Sequence, residues 1–331
     1  MGSRLAAVVG LLLLVFCASS SARTGTPSRG GGFPGRNGEI LFSRLRVANG
    51  DSDLYVMRPD GTHQRRITST PGFEAGAKWS PDGARILYMK DPQTLCPKPQ
   101  LYVMRADGTR VRRITRDQAC YSTPAWSPDG RRIVFTRCSG RCTKFSIWAL
   151  NVNGSGLRRL TDGTLDNMPA WSPDGTMIAF VRGYPDAIWL MDADGSNQRQ
   201  LTTPPAGNDE KEPEADTQPN WSPDGAWIAF SREHEPHMGT TGSTAYRQDI
   251  YVIRANGTGL RRLTRLSASN ISPAWSPDGK RIVFASSRAH AGERGGEQVM
   301  DIYLMNANGT EPKRLTRTPL FPGSPDWRPR P

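Results

Sequence analysis

Beyond residue 20 the chain has no apolar run approaching the ~18 residues that a membrane-spanning helix needs, so an internal span is excluded. Cysteine is sparse, five in 331 residues, which rules out a disulfide-packed miniprotein. Histidine is rarer still, at four. There is no Gly-x-Ser-x-Gly elbow to present a hydrolase serine, no nucleophile–base constellation recognisable in sequence, and no nucleic-acid recognition motif. What the chain has in excess is turn-forming residues. Glycine (34) and proline (27) lie well above the average combined share of roughly 12%, which points away from helices and toward a turn-dense all-β fold.

The exception to the missing apolar runs is the amino terminus. Arg4 precedes an apolar stretch from Leu5 to Cys17, followed by small residues to Ala22. A single positive charge, a short apolar centre and a Ser20-x-Ala22 cleavage site predict a secretory signal over residues 1–22. Thirteen apolar residues are short for a membrane anchor, and bulky Phe16 argues against lipidation of Cys17. Residues 23–36, rich in Gly, Pro and Ser, read as a flexible linker. The folded domain is then expected over 37–331.

That region is built from repeats. The string Trp-Ser-Pro-Asp-Gly starts at Trp79, Trp126, Trp171, Trp221 and Trp275, a period of about 49 residues. A short β-type run follows each copy, as in Ile133-Val134-Phe135. Serine first, proline second and glycine fourth favour a type I turn, so a tight hairpin should join the Trp strand to the Ile strand. A third strand recurs as Leu54-Tyr55-Val56-Met57 and its counterparts, each followed by Asp-Gly or Asn-Gly, a pair suited to a type I′ turn. A fourth strand of the form Arg-Arg-Ile/Leu-Thr closes the unit, as at Arg65–Thr68. Four antiparallel strands per unit is the anatomy of a propeller blade. The last Trp strand, around Trp327, stops where its turn should begin, and Asn37–Phe42 supplies the missing half. The expectation is a six-bladed β-propeller of four-stranded antiparallel blades, its ring closed by pairing of the amino- and carboxyl-terminal strands.

The Trp-Ser-Pro-Asp-Gly, Ile-x-Phe, Ile/Leu-Tyr-x-Met and Asp-Gly-Thr strings resemble the WD-like repeats of the TolB propeller family over Asn37–Pro329. The resemblance implies an exported location (periplasmic, cell-surface or secreted) and a protein-binding role. TolB itself carries an α/β domain before its propeller, whereas here a signal and a short tether are expected there.

Length variation falls on one face, in the strand 2–3 loops and the connections between units, so the binding surface is placed there. Removal of Cys17 with the signal leaves Cys96, Cys120, Cys138 and Cys142 on that face, and export favours disulfides. The chosen pairing is Cys96 with Cys120, which bracket one blade, and Cys138 with Cys142, which close one short loop. Four-thiolate zinc is the competing reading, without the two Cys-x-x-Cys knuckles such a site usually has. His234 and His237 fall in one long loop, Arg232 to Arg247, and His290 in the next blade's loop. With Glu233, Glu235 or Glu293 they could bind a divalent metal, as histidines do in oligogalacturonate lyases, which resemble this family in fold. Exposed loop residues are the simpler reading. The acidic stretch Asp209–Asp216 reads as a solvated loop.

The formal charge of +12 comes largely from fourth-strand cations such as Arg65, Arg112, Arg158 and Arg261, spread around the outer rim. Attraction to anionic envelope polymers follows; nucleic acid does not. The repeat-locked tryptophans are assigned to packing between blades. Together these readings predict an exported, monomeric, non-enzymatic scaffold with no resident cofactor, which binds an envelope protein or an anionic envelope polymer. A metal-dependent polysaccharide lyase or other hydrolytic enzyme using His234, His237 and His290 is the alternative.

Overall fold

A computed structural model describes residues 33–46, 51–91, 98–138, 142–163, 165–207, 213–238, 244–265, 268–290, 299–317 and 324–330. The expected signal and most of the linker lie outside the described residues. Packed structure nevertheless begins ahead of Asn37: Phe33 is buried and the Gly35 amide donates to the carbonyl of Pro277.

The fold is all-β. In chain order, β1 (Arg36–Arg46), β2 (Asp51–Met57) and β3 (Arg65–Arg66) precede β4 (Phe73–Trp79), β5 (Arg85–Asp91), β6 (Gln100–Arg105) and β7 (Arg112–Arg113). Three further quartets have the same long–long–long–short pattern. They are β8 (Cys120–Trp126), β9 (Arg132–Cys138), β10 (Phe145–Asn151) and β11 (Arg158–Arg159); β12 (Asn167–Trp171), β13 (Met177–Arg182), β14 (Ala187–Asp192) and β15 (Arg199–Gln200); and β16 (Ala215–Trp221), β17 (Trp227–Met238), β18 (Thr244–Arg254) and β19 (Arg261–Arg262). The last quartet is β20 (Asn270–Trp275), β21 (Arg281–Ser286), β22 (Asp301–Asn306) and β23 (Lys313–Arg314), followed by β24 (Asp326–Arg330).

These strands form four four-stranded antiparallel blades and one eight-stranded sheet, which overturns the expectation of a six-bladed propeller. The sheets of β1–β3 with β24 and of β4–β7 are joined through a parallel pairing of Ser52 with Phe73. The cause is local. Asp51 and Ser52 are buried polar residues that need partners. The Ser52 amide donates to Gly72 O, its hydroxyl donates to Glu74 O, and the Gly72 amide donates to Asp51. The terminal strands do pair: β24 runs antiparallel to β1, with Ile40 opposite Trp327. It also packs against β4 on one side and β20 on the other.

The Ser-Pro-Asp-Gly turns have the geometry their sequence dictates. The Gly83 amide donates to Ser80 O, closing a type I turn, and Gly83 then takes φ +64°. Asp82 accepts from the Ser80 hydroxyl and the Ala84 amide, so the turn satisfies itself. At the Asp-Gly turns the type I′ expectation is corrected. Only the glycine is left-handed there (Gly61 φ +90°), while Asp60 is not among the positive-φ residues. The Gly61 amide donates to Arg58 O and the Arg58 amide to Thr62 O, giving a longer loop than a two-residue turn. Asp60 accepts from both the amide and the hydroxyl of Thr62, a role that does not require the aspartate to be left-handed.

Trp79, Trp126, Trp171 and Trp221 are fully buried, and guanidinium groups from neighbouring units cap several rings: Arg85 lies 4.8 Å over Trp126 and Arg132 4.9 Å over Trp171. Each short fourth strand is anchored by its threonine, whose hydroxyl accepts the third-strand amide of Leu54, Leu101, Ile147, Ile188, Ile250 or Ile302. This explains the recurrence of Thr after Arg-Arg-Ile/Leu. No helix among the described residues is long and apolar enough to cross a membrane.

Candidate functional site

Antiparallel blades send their Ser-Pro-Asp-Gly and Asp-Gly turns to one face. The strand 2–3 loops and the connections between units go to the other. On this second face the second strands end in cations that sit on aromatic rings. Arg137 lies over Tyr121 and Trp148, Arg182 over Phe180 and Trp189, Arg232 over Phe230 and Tyr251, Arg288 over Phe284 and Tyr303, and Arg44 over Tyr55. In three units a first-strand or preceding carboxylate completes the arrangement. Asp166 takes Arg182 in a fork at 2.6 and 2.8 Å, Asp216 takes Arg232 at 2.6 and 2.7 Å, and Asp117 accepts from Arg137 at 2.8 Å. Lys90 pairs likewise with buried Glu74.

Sequence reasoning placed the positive charge on the outer rim and missed this circuit. The signal was present as an aromatic-x-Arg/Lys pattern: Phe42-x-Arg44, Tyr88-x-Lys90, Phe135-x-Arg137, Phe180-x-Arg182 and Phe230-x-Arg232. Asp216, read as part of a solvated loop, is fully buried. Burial opposes its charge and raises its pKa against the pull of Arg232, while Asp216 in turn raises the pKa of Arg232 despite that residue's own desolvation. Residues 208–212 of the acidic stretch lie outside the described residues.

The histidines are placed differently from the expected loop. The segment 232–247 is mostly strand, because β17 and β18 extend as a long hairpin with His234 opposite Arg247 and His237 opposite Ala245. His234 Nδ1 is 3.0 Å from Glu214 and Nε2 is 3.2 Å from Asp249. Asp249, then Glu214, hold its pKa above the ordinary histidine value against the opposing effect of burial. His290 Nε2 is 3.0 Å from Asp301. Asp249 also receives Arg262 and Thr264, and Asp301 receives Arg314 and Thr316. A metal needs a neutral imidazole with a free lone pair. Each His234 nitrogen faces a carboxylate, and a raised pKa favours the protonated ring, which offers no lone pair. The His237 side chain lies outside the described residues.

Among the cysteines, Cys138 and Cys142 form a disulfide. The sulfur of Cys120, which pairs across the strands with Cys138, lies within 4.8 Å of both. Burial pushes the Cys120 thiol pKa up. Cys96 lies outside the described residues.

The TolB beta propeller domain profile matches residues 37–213, more than half the chain. The chain belongs to the TolB beta propeller family. A protein TolB homolog of Chlorobium luteolum is 38% identical over 53 residues, which is 16% of this chain and 12% of that protein. The chain therefore matches about an eighth of that relative's length. The crystal structure of TolB from Acinetobacter baumannii superposes with a TM-score of 0.68 at 21% identity, over 88% of this chain and 67% of that one. An oligogalacturonate lyase from Vibrio parahaemolyticus does so with a TM-score of 0.55 at 16% identity, over 88% and 78%. At these identities the structural likenesses show the fold alone.

Proposed function

We propose that this TolB-like propeller is an exported, non-enzymatic binding scaffold that engages a protein of the cell envelope through its long-loop face. The observation that carries the reading is the contrast between the two faces. The turn face is made of short loops whose polar groups satisfy one another. The long-loop face holds recurrent cations on aromatic platforms, next to connections of variable length, the placement expected of binding residues on a rigid scaffold. Membership of the TolB beta propeller family supports it, and the apolar stretch Leu5–Cys17 supports export.

The test is site-specific photocrosslinking in envelope preparations. Tyr184, 61% exposed between β13 and β14, reports on the long-loop face; Val111, 53% exposed beside the Asp107-Gly108 turn, reports on the turn face. A discrete protein adduct from position 184 and none from 111 is expected. No adduct from 184, or equal capture from both, overturns the reading. A captured anionic polymer in place of a protein replaces the partner class.

A further inference from the structure

The chain carries two complete examples of one arrangement and a third that lacks its last part. Arg182 and Arg232 each sit against two aromatic rings and each is paired with a buried aspartate, Asp166 just before the first strand of its blade and Asp216 within it. Arg288 has the same platform, 5.2 Å over Phe284 and 4.7 Å over Tyr303. By register Ser286 holds the place of Arg182 and Arg232, opposite Asn270 in the first strand, and Arg288 reaches the rings from two residues beyond the strand. Arg288 Nη2 donates to Asn270 Oδ1 at 2.9 Å and Nε donates to Ser286 Oγ at 3.1 Å, both neutral acceptors. No carboxylate of the described residues forms an ion pair with it.

Asn270 is fixed in this role. It is fully buried, and its amide nitrogen donates to Ala268 O and Asp249, leaving the carbonyl oxygen to accept from Arg288 and Ser286. A half-buried guanidinium has lost part of its hydration, and with five N–H donors it has several left over after two side-chain bonds. Desolvation lowers the Arg288 pKa and outweighs the opposing pull of Tyr303 and Asp249.

We propose that Arg288 is a receptor for a carboxylate, filled in trans by an acidic side chain of a bound polypeptide. This rests on the long-loop face being the binding face and names the chemistry recognised there. The occupant is argued from the chain itself: at Arg182 and Arg232, the group that fits between fork and aromatic platform is an aspartate. Bidentate guanidinium–carboxylate pairing gives both strength and orientation.

The test measures binding of a dye-labelled octa-aspartate peptide to the full secreted chain by fluorescence anisotropy. Asn270→Asp would complete the internal pair, as Asp166 and Asp216 do, and should weaken binding by about 10-fold or more, the effect of losing one charge-assisted contact. Asn308→Asp adds the same charge on the turn face and copies Asp60, Asp107 and Asp194, so it should leave binding nearly unchanged. Arg288→Gln guards against a folding defect caused by a second carboxylate beside Asp249, and should match the loss in Asn270→Asp.

Equal losses in Asn270→Asp and Asn308→Asp would reduce the effect to net charge and overturn the proposal. So would Arg288-dependent binding of polygalacturonate but not of the peptide. Binding that appears only after Glu293 and Glu297 are changed to Gln would show that the chain fills its own fork, with the same consequence. Position-184 crosslinking of the partner that survives Asn270→Asp and Arg288→Gln would sink this inference and leave the binding role standing. Absence of that crosslink in the native chain would instead remove the binding role itself.

Discussion

Lys78 and Asp326 join the last strand to β4 through a buried ion pair, and their separation in sequence makes them a direct probe of how the chain's end holds the fold. Their side chains are 4% and 7% exposed; Lys78 Nζ is 3.0 Å from Asp326 Oδ1, and the Trp79 amide donates to Oδ2 at 2.8 Å. Burial raises the Asp326 pKa even with Lys78 beside it. Asp326→Leu alone would leave a buried ammonium without its counter-ion and remove the acceptor of a backbone amide. Removing one member of such a pair costs about 3–5 kcal/mol. At roughly 2–4 °C per kcal/mol for domains of 150–250 residues, Tm should fall by on the order of 10 °C.

Lys78→Met together with Asp326→Leu removes both charges, and apolar replacement of a whole buried pair is often neutral. The double variant should therefore recover part of the loss, the remainder reflecting the Trp79 amide that has lost its acceptor, about 1–3 kcal/mol. Differential scanning calorimetry on the single variants, the double variant and the native chain closes the cycle. A single variant that melts within about 2 °C of the native chain would refute the reasoning, as would a double variant that melts as low as the worse single.

Gly108→Ala should be strongly destabilising, because Gly108 sits at φ +87° and a Cβ there would run into the carbonyl oxygen of Ile67; Gly257→Ala, at φ +88° but with the new Cβ meeting Leu201 at an ordinary 3.9 Å, should cost only the backbone strain, about 1–2 kcal/mol by chemical denaturation. His234 has a folded pKa above its unfolded value near 6.5, so the folded state binds the proton more tightly. Its contribution should be fully present below pH ~6.5 and disappear as pH rises through the folded pKa, so the gap in urea midpoint between native and His234→Gln protein should be wider at pH 5.5 than at pH 9. Chelation should leave Tm unchanged and elemental analysis should find no stoichiometric transition metal; one equivalent lost in His234→Ala would revive the lyase alternative.

What the sequence made legible follows from where its constraints act. Trp-Ser-Pro-Asp-Gly encodes its turn within five residues: Ser80, Asp82 and Gly83 bond to one another, so no distant partner is needed to read it. Ile40 opposite Trp327 could be inferred because a truncated repeat at each end leaves one missing half. The join between β2 and β4 was not legible, since it depends on two buried polar residues, Asp51 and Ser52, finding backbone partners more than 20 residues away. The type I′ reading failed for a different reason. Asp-Gly fits two kinds of turn, and the hydrogen bonds to Thr62, one residue beyond the pair, select the longer one.

The long-loop face shows the same division between local and distant causes. Its histidines attracted attention because histidine is rare, yet rarity says nothing of neighbours; His234 and His290 each meet aspartates that also bind arginines of the fourth strands. The arginines drew none because they are common. Their meaning lies in the departure from a repeat: two blades set a second-strand arginine against an aspartate, whereas the last sets Ser286 opposite Asn270 and brings Arg288 onto the aromatic platform from two residues beyond the strand. In a repeat protein the packing solution is copied from unit to unit, so a unit that has neutral Ser286 and Asn270 at the paired positions, yet still lays a guanidinium from the next turn on the same two rings, keeps the geometry that receives a carboxylate without supplying one in direct contact. Stability alone gives little reason to keep a half-buried guanidinium with only neutral hydrogen-bond acceptors and a carboxylate, Asp249, acting from a distance, because an uncharged side chain in its place would avoid the desolvation cost. A ligand that brings the missing carboxylate does.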